Sequence, residues 1–253
     1  MLEKTGGRAP HFVPRGDDTA ENCEANKREG EEYLRVVLQE AGAARLTGED
    51  LGVVPDYVRP SLRSLGIAGF KIPQWETRDG LIIPGQMYER LSVATYATHD
   101  HEPLRALWNQ AFEQSRSDAG EQARVTLQKI ALFAGIDMQG TAVSSGAVAS
   151  AKAASPPNQS WADWKPPLLD RLEFENQFYP AIMKALFTCE SWIAMVMITD
   201  LLGRTYRFNV PGTKASLNWT RRMNRSVAEL RSSPKEQSRM QLVGELLVKT
   251  RRA

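Results

Sequence analysis

The chain has 253 residues, 42% of them hydrophobic, and a formal net charge of +2. That length and hydrophobic share suffice for a sizeable core in one large or two small globular domains, and the near-balanced charge argues against nucleic acid as the main partner. Its two cysteines, Cys23 and Cys189, exclude a disulfide framework and fit a reducing, cytoplasmic compartment. The longest apolar run, around Ile193 to Ile198, is too short to span a bilayer, and the first residues show no apolar signal core. Basic clusters at Arg221-Arg222 with Arg225, and at Lys249 to Arg252, read as solvated loop and helix-end charge.

Residues 5–20 are rich in Gly, Pro and Asp and read as an irregular loop. From Glu21 to Ala41 strong helix formers place Leu34, Val37, Leu38 and Ala41 on one stripe, with Gly42 set to end the helix. A short strand, Ala44 to Thr47, leads into Gly48-Glu49-Asp50-Leu51-Gly52. Val54, Val58, Leu62 and Leu65 then line a second helix closed by Gly66, with Pro60 near its first turns. A strand from Ile67 to Ile72 runs into a polar insertion, and a third strand spans Leu91 to Ala97. Helices follow over Leu104 to Gln114 and Glu121 to Ala134. Residues 136–167 are Ser-, Ala-, Gly- and Pro-rich, which predicts a long loop insertion. Leu168 to Glu190 is helical in pattern, divided or kinked by Pro180. A fourth strand, Trp192 to Thr199, a polar loop, and helices around Ser226 to Leu230 and Pro234 to Arg251 complete the chain. Strands alternating with helices predict an α/β fold with a parallel sheet, either half of an eight-unit barrel or a small open sheet.

Two acidic groups stand directly after predicted strands: Glu49-Asp50, and Asp100 within His99-Asp100-His101. In a parallel sheet both would reach the same end, and a pair of carboxyls there suits glycosyl transfer. One protonates the departing oxygen, and the positive charge developing on the sugar needs a negative partner. The structural reading of Glu49-Asp50 is a helix cap before Leu51. For His99-Asp100-His101 three readings stand: a metal site, structural hydrogen bonding, or a catalytic carboxylate flanked by histidines. In an extended strand His99 and His101 share a face and Asp100 points away, which weakens a three-ligand site. The sequence has no Gly-x-Ser-x-Gly elbow, phosphate-binding glycine loop or cysteine pair at ligand spacing, so nucleophilic serine or cysteine chemistry is unsupported and no cofactor or metal is expected. Trp75 and Trp219, in polar loops, are candidates for stacking on sugar rings, whereas Trp192 reads as core; Trp161 and Trp164 fall in the insertion.

Five blocks occur in a fixed order: Thr47 to Pro55, Gly66 to Ile72, Ser92 to His101, Asp200-Leu201-Leu202-Gly203, and Asn209-Val210-Pro211-Gly212-Thr213. This series resembles the C-terminal half of the 4-α-glucanotransferases, the amylomaltase or disproportionating-enzyme family, over nearly the whole chain apart from the insertion. The resemblance implies part of a (β/α)8 barrel and a retaining mechanism that passes an α-1,4-glucan segment to an acceptor sugar. It implies Glu49 as general acid/base, Asp100 as the carboxylate that stabilises the transition state, and His99 as a sugar contact. It implies a substrate-binding loop at Asn209, Pro211 and Gly212, and starch or maltooligosaccharide as substrate, with neither nucleic acid nor membrane as partner.

Two departures qualify that pattern. The family's nucleophilic aspartate lies in an Arg-x-Asp-His block upstream of Glu-Asp-Leu-Gly, and no such block occurs in the 253 residues. Asp17, Asp18 and Glu21 are nearby acids without the motif. His101 stands where many relatives have asparagine, which bears on acceptor preference. A retaining enzyme needs two carboxyls about 5–5.5 Å apart, one to attack and one to donate a proton. Without the attacking member, the expectation is a chain that is inactive alone and completed by the missing N-terminal half. A half-barrel would also leave strand edges unpaired and an apolar interior open. The alternative is a non-catalytic carbohydrate-binding or partner-completing module, in which Trp75, Trp219 and the strand-end acids hold glucan without cleaving it.

Overall fold

The computed structural model describes residues 2–3, 11–12, 14–113, 117–136, 169, 172–213 and 218–252. The predicted insertion beyond residue 136, with Trp161 and Trp164, lies outside them. The chain divides into two units, Met1–Phe70 with Arg90–Val93, and Lys71–Glu89 with Ala94–Ala253.

In the first unit, strands β1 (Leu2–Glu3) and β2 (His11–Phe12) pair antiparallel. Helix α1 (Ala20–Ala41) starts at Thr19, whose hydroxyl accepts the Asn22 N–H at 3.1 Å, and stops at Gly42. Its bounds match the sequence pattern, but its expected apolar stripe is not buried: the buried residue on this helix is Asn26, and Tyr33, Val36 and Val37 are exposed. Polar anchors hold the helix instead. The Asn26 amide donates to the Arg15 carbonyl at 2.8 Å and to Asp17 at 3.1 Å, and it accepts the Arg15 N–H at 3.0 Å. Ser61 donates to Glu31 at 2.8 Å.

The predicted strand at Ala44 to Thr47 contracts to one parallel bridge, Thr47 with Ala68, flanked by Gly48 N–H to Ala68 C=O at 2.8 Å. Helix α2 is shorter than its pattern, Val58–Ser64, with Pro60 third in the first turn, where a missing N–H costs nothing. It ends in a paired-hydrogen-bond cap: Gly66 N–H reaches Arg63 C=O at 3.1 Å and Ile67 N–H reaches Leu62 C=O at 2.9 Å. That geometry needs a left-handed residue, and Gly66 supplies φ 72°.

Strands β3 (Gly69–Lys71), β6 (Ser92–Ala94) and β7 (Ile193–Ala194) form a three-stranded sheet in the order β3-β6-β7. Within the second unit, Thr95 N–H donates to Lys71 C=O at 3.1 Å and Met195 N–H to Ala94 C=O at 2.8 Å. The run from Ser92 to Thr98 is buried throughout, as expected of a strand covered on both faces. The polar insertion contains a hairpin, β4 (Thr77–Arg78) and β5 (Leu81–Ile82), turning at Asp79-Gly80.

Helices α3 (Leu104–Glu113) and α4 (Asp118–Phe133) pack together, and α4 packs onto α5 (Tyr179–Thr188). Pro180 divides its helical stretch as anticipated: a π-helical turn over Phe174–Phe178 precedes it, and α5 begins with the proline in its first turn. The fourth predicted strand is corrected. Only Ile193–Ala194 pair, and Ile198–Leu201 form a short helix, α6. Helix α7 (Val227–Ser232) opens with a capping box between Ser226 and Glu229, and α8 (Pro234–Lys249) packs on α5. The core of this unit gathers Ala94, Tyr96, Leu104, Leu127, Ile130, Phe178, Ile182 and Leu186. The Tyr96 hydroxyl donates to the Ile182 carbonyl at 2.6 Å, so the strand is pinned to α5 through a satisfied buried polar group. Trp192, read from sequence as core, is 43% exposed. Among the described residues no helix is long and apolar enough to cross a membrane.

Candidate functional site

In the first unit, the loop after the Thr47 bridge sets two adjacent acids in opposite environments. Asp50 is buried: one carboxylate oxygen accepts the Phe70 N–H at 2.6 Å and the other accepts Arg59 Nε at 3.1 Å. Gly69 makes room for it, because a Cβ there would lie 2.8 Å from Asp50 Oδ2. Glu49, its neighbour, is exposed. The helix-cap reading is therefore corrected, since α2 begins at Val58 after Tyr57 with no side-chain cap. Asp50 is an anchor that fixes the loop backbone, and Glu49 is the carboxyl left facing outward.

In the second unit, the buried strand run ends at Thr98 and the chain turns through His99, Asp100 and His101. The Thr98 N–H donates to His101 Nδ1 at 3.0 Å, and the Asp100 N–H donates to the Thr98 hydroxyl at 3.3 Å. These local bonds make a tight turn of the kind Thr favours. Asp100 Oδ1 accepts Asn209 Nδ2 at 2.6 Å and lies 3.4 Å from His99 Nε2. Among the described residues, Oδ2 has no hydrogen-bond partner, so one oxygen is held and the other remains available.

Arg207 joins this turn to the loop that carries Asn209. Its Nη2 donates to the Asp100 carbonyl at 2.6 Å, its Nε to the Asn209 carbonyl at 3.1 Å, and its Nη1 lies 3.6 Å from Glu102. The planar guanidinium suits such a task, because its donors diverge in a fixed fork. Sequence reasoning missed Arg207. Its partner Asp100 is 107 residues away, and no local spacing signals that contact. Asn209, expected in a substrate-binding loop, donates to the carboxylate of Asp100. Pro211 and Gly212 follow in an exposed turn.

Two tryptophans flank the histidines. The Trp75 ring lies 4.9 Å from that of His101, and the Trp219 ring 4.9 Å from that of His99. Trp75 is 50% exposed; its backbone is fixed by Trp75 N–H to Ile72 C=O at 2.8 Å, and neighbouring Gln74 donates to the Tyr96 carbonyl at 2.8 Å. Among the described residues no group of three or more His, Cys, Asp or Glu side chains is placed to hold a metal ion. The two imidazoles face different neighbours, Asp100 and Thr98.

Behind the turn, Asp200 is buried and its Oδ1 accepts the Leu104 N–H at 2.7 Å, which caps α3 just past Glu102 and Pro103. Burial pushes its carboxyl up to about 7, against the smaller opposing effect of the Leu104 hydrogen bond. The turn is thus anchored on both sides, by the strand before it and by a capped helix after it.

Comparison with known proteins identifies the family. Residues 8–228 match the family model described as 4-alpha-glucanotransferase, glycoside hydrolase family 77. A 4-alpha-glucanotransferase of Chlamydia pneumoniae is 26% identical over 221 residues, covering 85% of this chain and 35% of that protein. One from Chlamydia caviae is 37% identical over 111 residues, covering 40% of this chain and 21% of that protein. The chain therefore spans about a third or less of the length of these relatives. An amylomaltase from Streptococcus agalactiae, solved in complex with acarbose, shares the fold with a TM-score of 0.54 at 16% identity, over 88% of this chain and 35% of that one. With a family model matched from residue 8 to residue 228, the chain belongs to the 4-alpha-glucanotransferases of glycoside hydrolase family 77.

Proposed function

We propose that this chain carries the proton donor and the electrostatic stabiliser of an α-1,4-glucan segment transfer. The observation that carries the reading is the family match over residues 8–228, which includes both Glu49 and Asp100. Glu49, as a carboxylic acid, protonates the glycosidic oxygen that departs; as a carboxylate it then takes the proton of the incoming acceptor hydroxyl. Asp100 keeps a carboxylate oxygen for the positive charge that develops on the sugar ring, while Asn209 and His99 hold the other. His99 contacts the sugar, and Trp75, Pro211 and Gly212 line its binding surface. The strands belong to a (β/α)8 barrel, residues 1–253 forming a C-terminal part of it with residues 136–167 as a loop insertion. Two free thiols, Cys23 and Cys189, fit a cytoplasmic setting.

The attacking carboxylate of a retaining mechanism is not among the roles these residues fill, since no Arg-x-Asp-His block occurs in the 253 residues. These residues alone hold glucan without passing it on, and a polypeptide segment bearing the nucleophile completes the site. Incubating the purified chain with maltotriose and resolving the products tests this. The expected outcome is unchanged maltotriose. Glucose together with longer maltooligosaccharides, lost in Glu49→Gln, would overturn it. A purely glucan-holding role is favoured by one observation, the half-exposed Trp75 against His101. It would be preferred if supplying the nucleophile segment gave binding but never turnover.

A further inference from the structure

Among the described residues, three that are not glycine hold a positive φ: Asp79 at 52°, Trp219 at 61° and Arg251 at 57°. Two follow from the fold. Asp79 precedes Gly80 in the two-residue turn between β4 and β5, where both central residues need positive φ. Arg251 is the left-handed residue after α8, with Arg251 N–H to Val248 C=O at 3.2 Å and Arg252 N–H to Leu247 C=O at 2.9 Å.

Trp219 lies in a turn over residues 218–220; among the described residues no helix ends there and no paired strands turn there. A bulky aromatic in this conformation is an outlier, and it persists only where its surroundings over-determine it. They do so here. The Trp219 N–H donates to Phe208 C=O at 2.8 Å, and the preceding Asn218 side chain brackets Val210, accepting its N–H at 3.2 Å and donating to its C=O at 3.3 Å. These bonds return the chain to the Arg207–Asn209 segment that grips Asp100. The strained backbone does not bury the indole. The ring meets His99 at 4.9 Å yet is 60% exposed, and the His99 imidazole that it meets is 3.4 Å from Asp100.

We infer that Trp219 is a further glucan-binding residue, whose open indole face takes the apolar face of a glucose ring next to Asp100. A pyranose presents aliphatic C–H groups on one face and hydroxyls around its edge, so a rigid, amphipathic ring is the matching surface. Strain concentrated on a largely exposed side chain fits presentation to a ligand and does not fit packing. The inference rests on the glucan reading above.

Calorimetric titration of the 253-residue chain with maltoheptaose, beside thermal unfolding, tests it with two variants. Trp219→Gly removes the ring and relieves the backbone, because glycine accepts this φ freely. It is expected to bind about tenfold more weakly, with a melting temperature no lower than the parent's. Trp219→Phe keeps an aromatic face and is expected to bind within about threefold of the parent. Unaltered binding by Trp219→Gly overturns the inference, as does a melting temperature lowered by more than about 5 °C, the mark of a packing residue. A parent chain that gives no binding heat overturns the glucan reading itself, and with it this inference.

Discussion

Glu49 and Asp50 are chemically near-identical, and their surroundings assign them different work. The Asp50 carboxylate is buried and answers a backbone N–H and a guanidinium. Replacing it by Ala would leave the Phe70 N–H without its acceptor and the Arg59 pair broken. The first of these carries most of the cost, about 1–3 kcal/mol, since Arg59 is itself half exposed and its ion pair is screened. Asp50→Asn keeps an acceptor for Phe70 and is expected to recover more than half of that loss, as measured by urea unfolding. Equal loss in both variants would show that the ion pair dominates. The sequence block from Thr47 to Pro55 made both acids visible as candidates, but nothing in their spacing told the buried acid from the exposed one. Burial separates them, and burial here depends on Gly69, nineteen residues beyond Asp50. Asn209 shows the same limit: its place in an expected binding loop was legible, while its bond to Asp100 spans 109 residues and was not.

At the scale of elements, the C-terminal end of α5 depends on a residue from beyond α8. Arg252 donates to the carbonyls of Phe187 at 3.0 Å and Ser191 at 2.6 Å, and also to that of Cys189. Last-turn carbonyls have no intrahelical partner, and a cation there also meets the negative end of the helix dipole. Arg252→Ala should therefore destabilise the chain by about 2–4 kcal/mol, and Arg252→Lys by less, because one ammonium cannot span three carbonyls. Chemical unfolding measures both. A loss below about 0.5 kcal/mol in the Ala variant would place Arg252 among ordinary surface residues. This contact lay in a stretch that sequence patterning reads as solvated basic charge. Helices themselves were the legible elements: the bounds of α1 and α3 follow from apolar spacing, whereas α4 starts at Asp118, three residues before the expected Glu121. The strands were not. Ala44 to Thr47 reduces to one bridge and Trp192 to Thr199 to a two-residue pairing followed by a helix, because short apolar runs do not separate strand from helix by period. The Asp79-Gly80 hairpin did carry a local signal, an Asp-Gly pair between β-formers, within a segment read only as a polar insertion.

For the molecule as a whole, the buried carboxyl of Asp200 ties stability to pH. Its ordinary value of 3.8 rises to about 7 in the fold through burial. Between these values the unfolded chain has released the proton and the folded chain retains it, so folding stability declines as pH rises from about 4 to about 7. Below that window both states are protonated, and above it both are ionised and the penalty is constant. A displacement of this size corresponds to on the order of 4 kcal/mol across the window. Glu31 and Glu229 act in the opposite sense. A hydrogen bond from Ser61 lowers the first, the Ser226 N–H and hydroxyl lower the second, and their contribution is lost as pH falls through the acid range. The two effects occupy different windows, and a single substitution isolates the contribution of Asp200. Asp200→Asn keeps an oxygen to accept the Leu104 N–H but cannot ionise. The stability of the parent minus that of Asp200→Asn, measured by urea unfolding at intervals from pH 4 to pH 8, is expected to fall steadily through the window and level off above about pH 7. Contributions common to both proteins cancel in that difference. A difference that stays flat would show that the carboxyl ionises as readily in the fold as in the unfolded chain. It would then remove Asp200 as the element that couples the capped start of α3, and the Asp100 turn before it, to proton concentration.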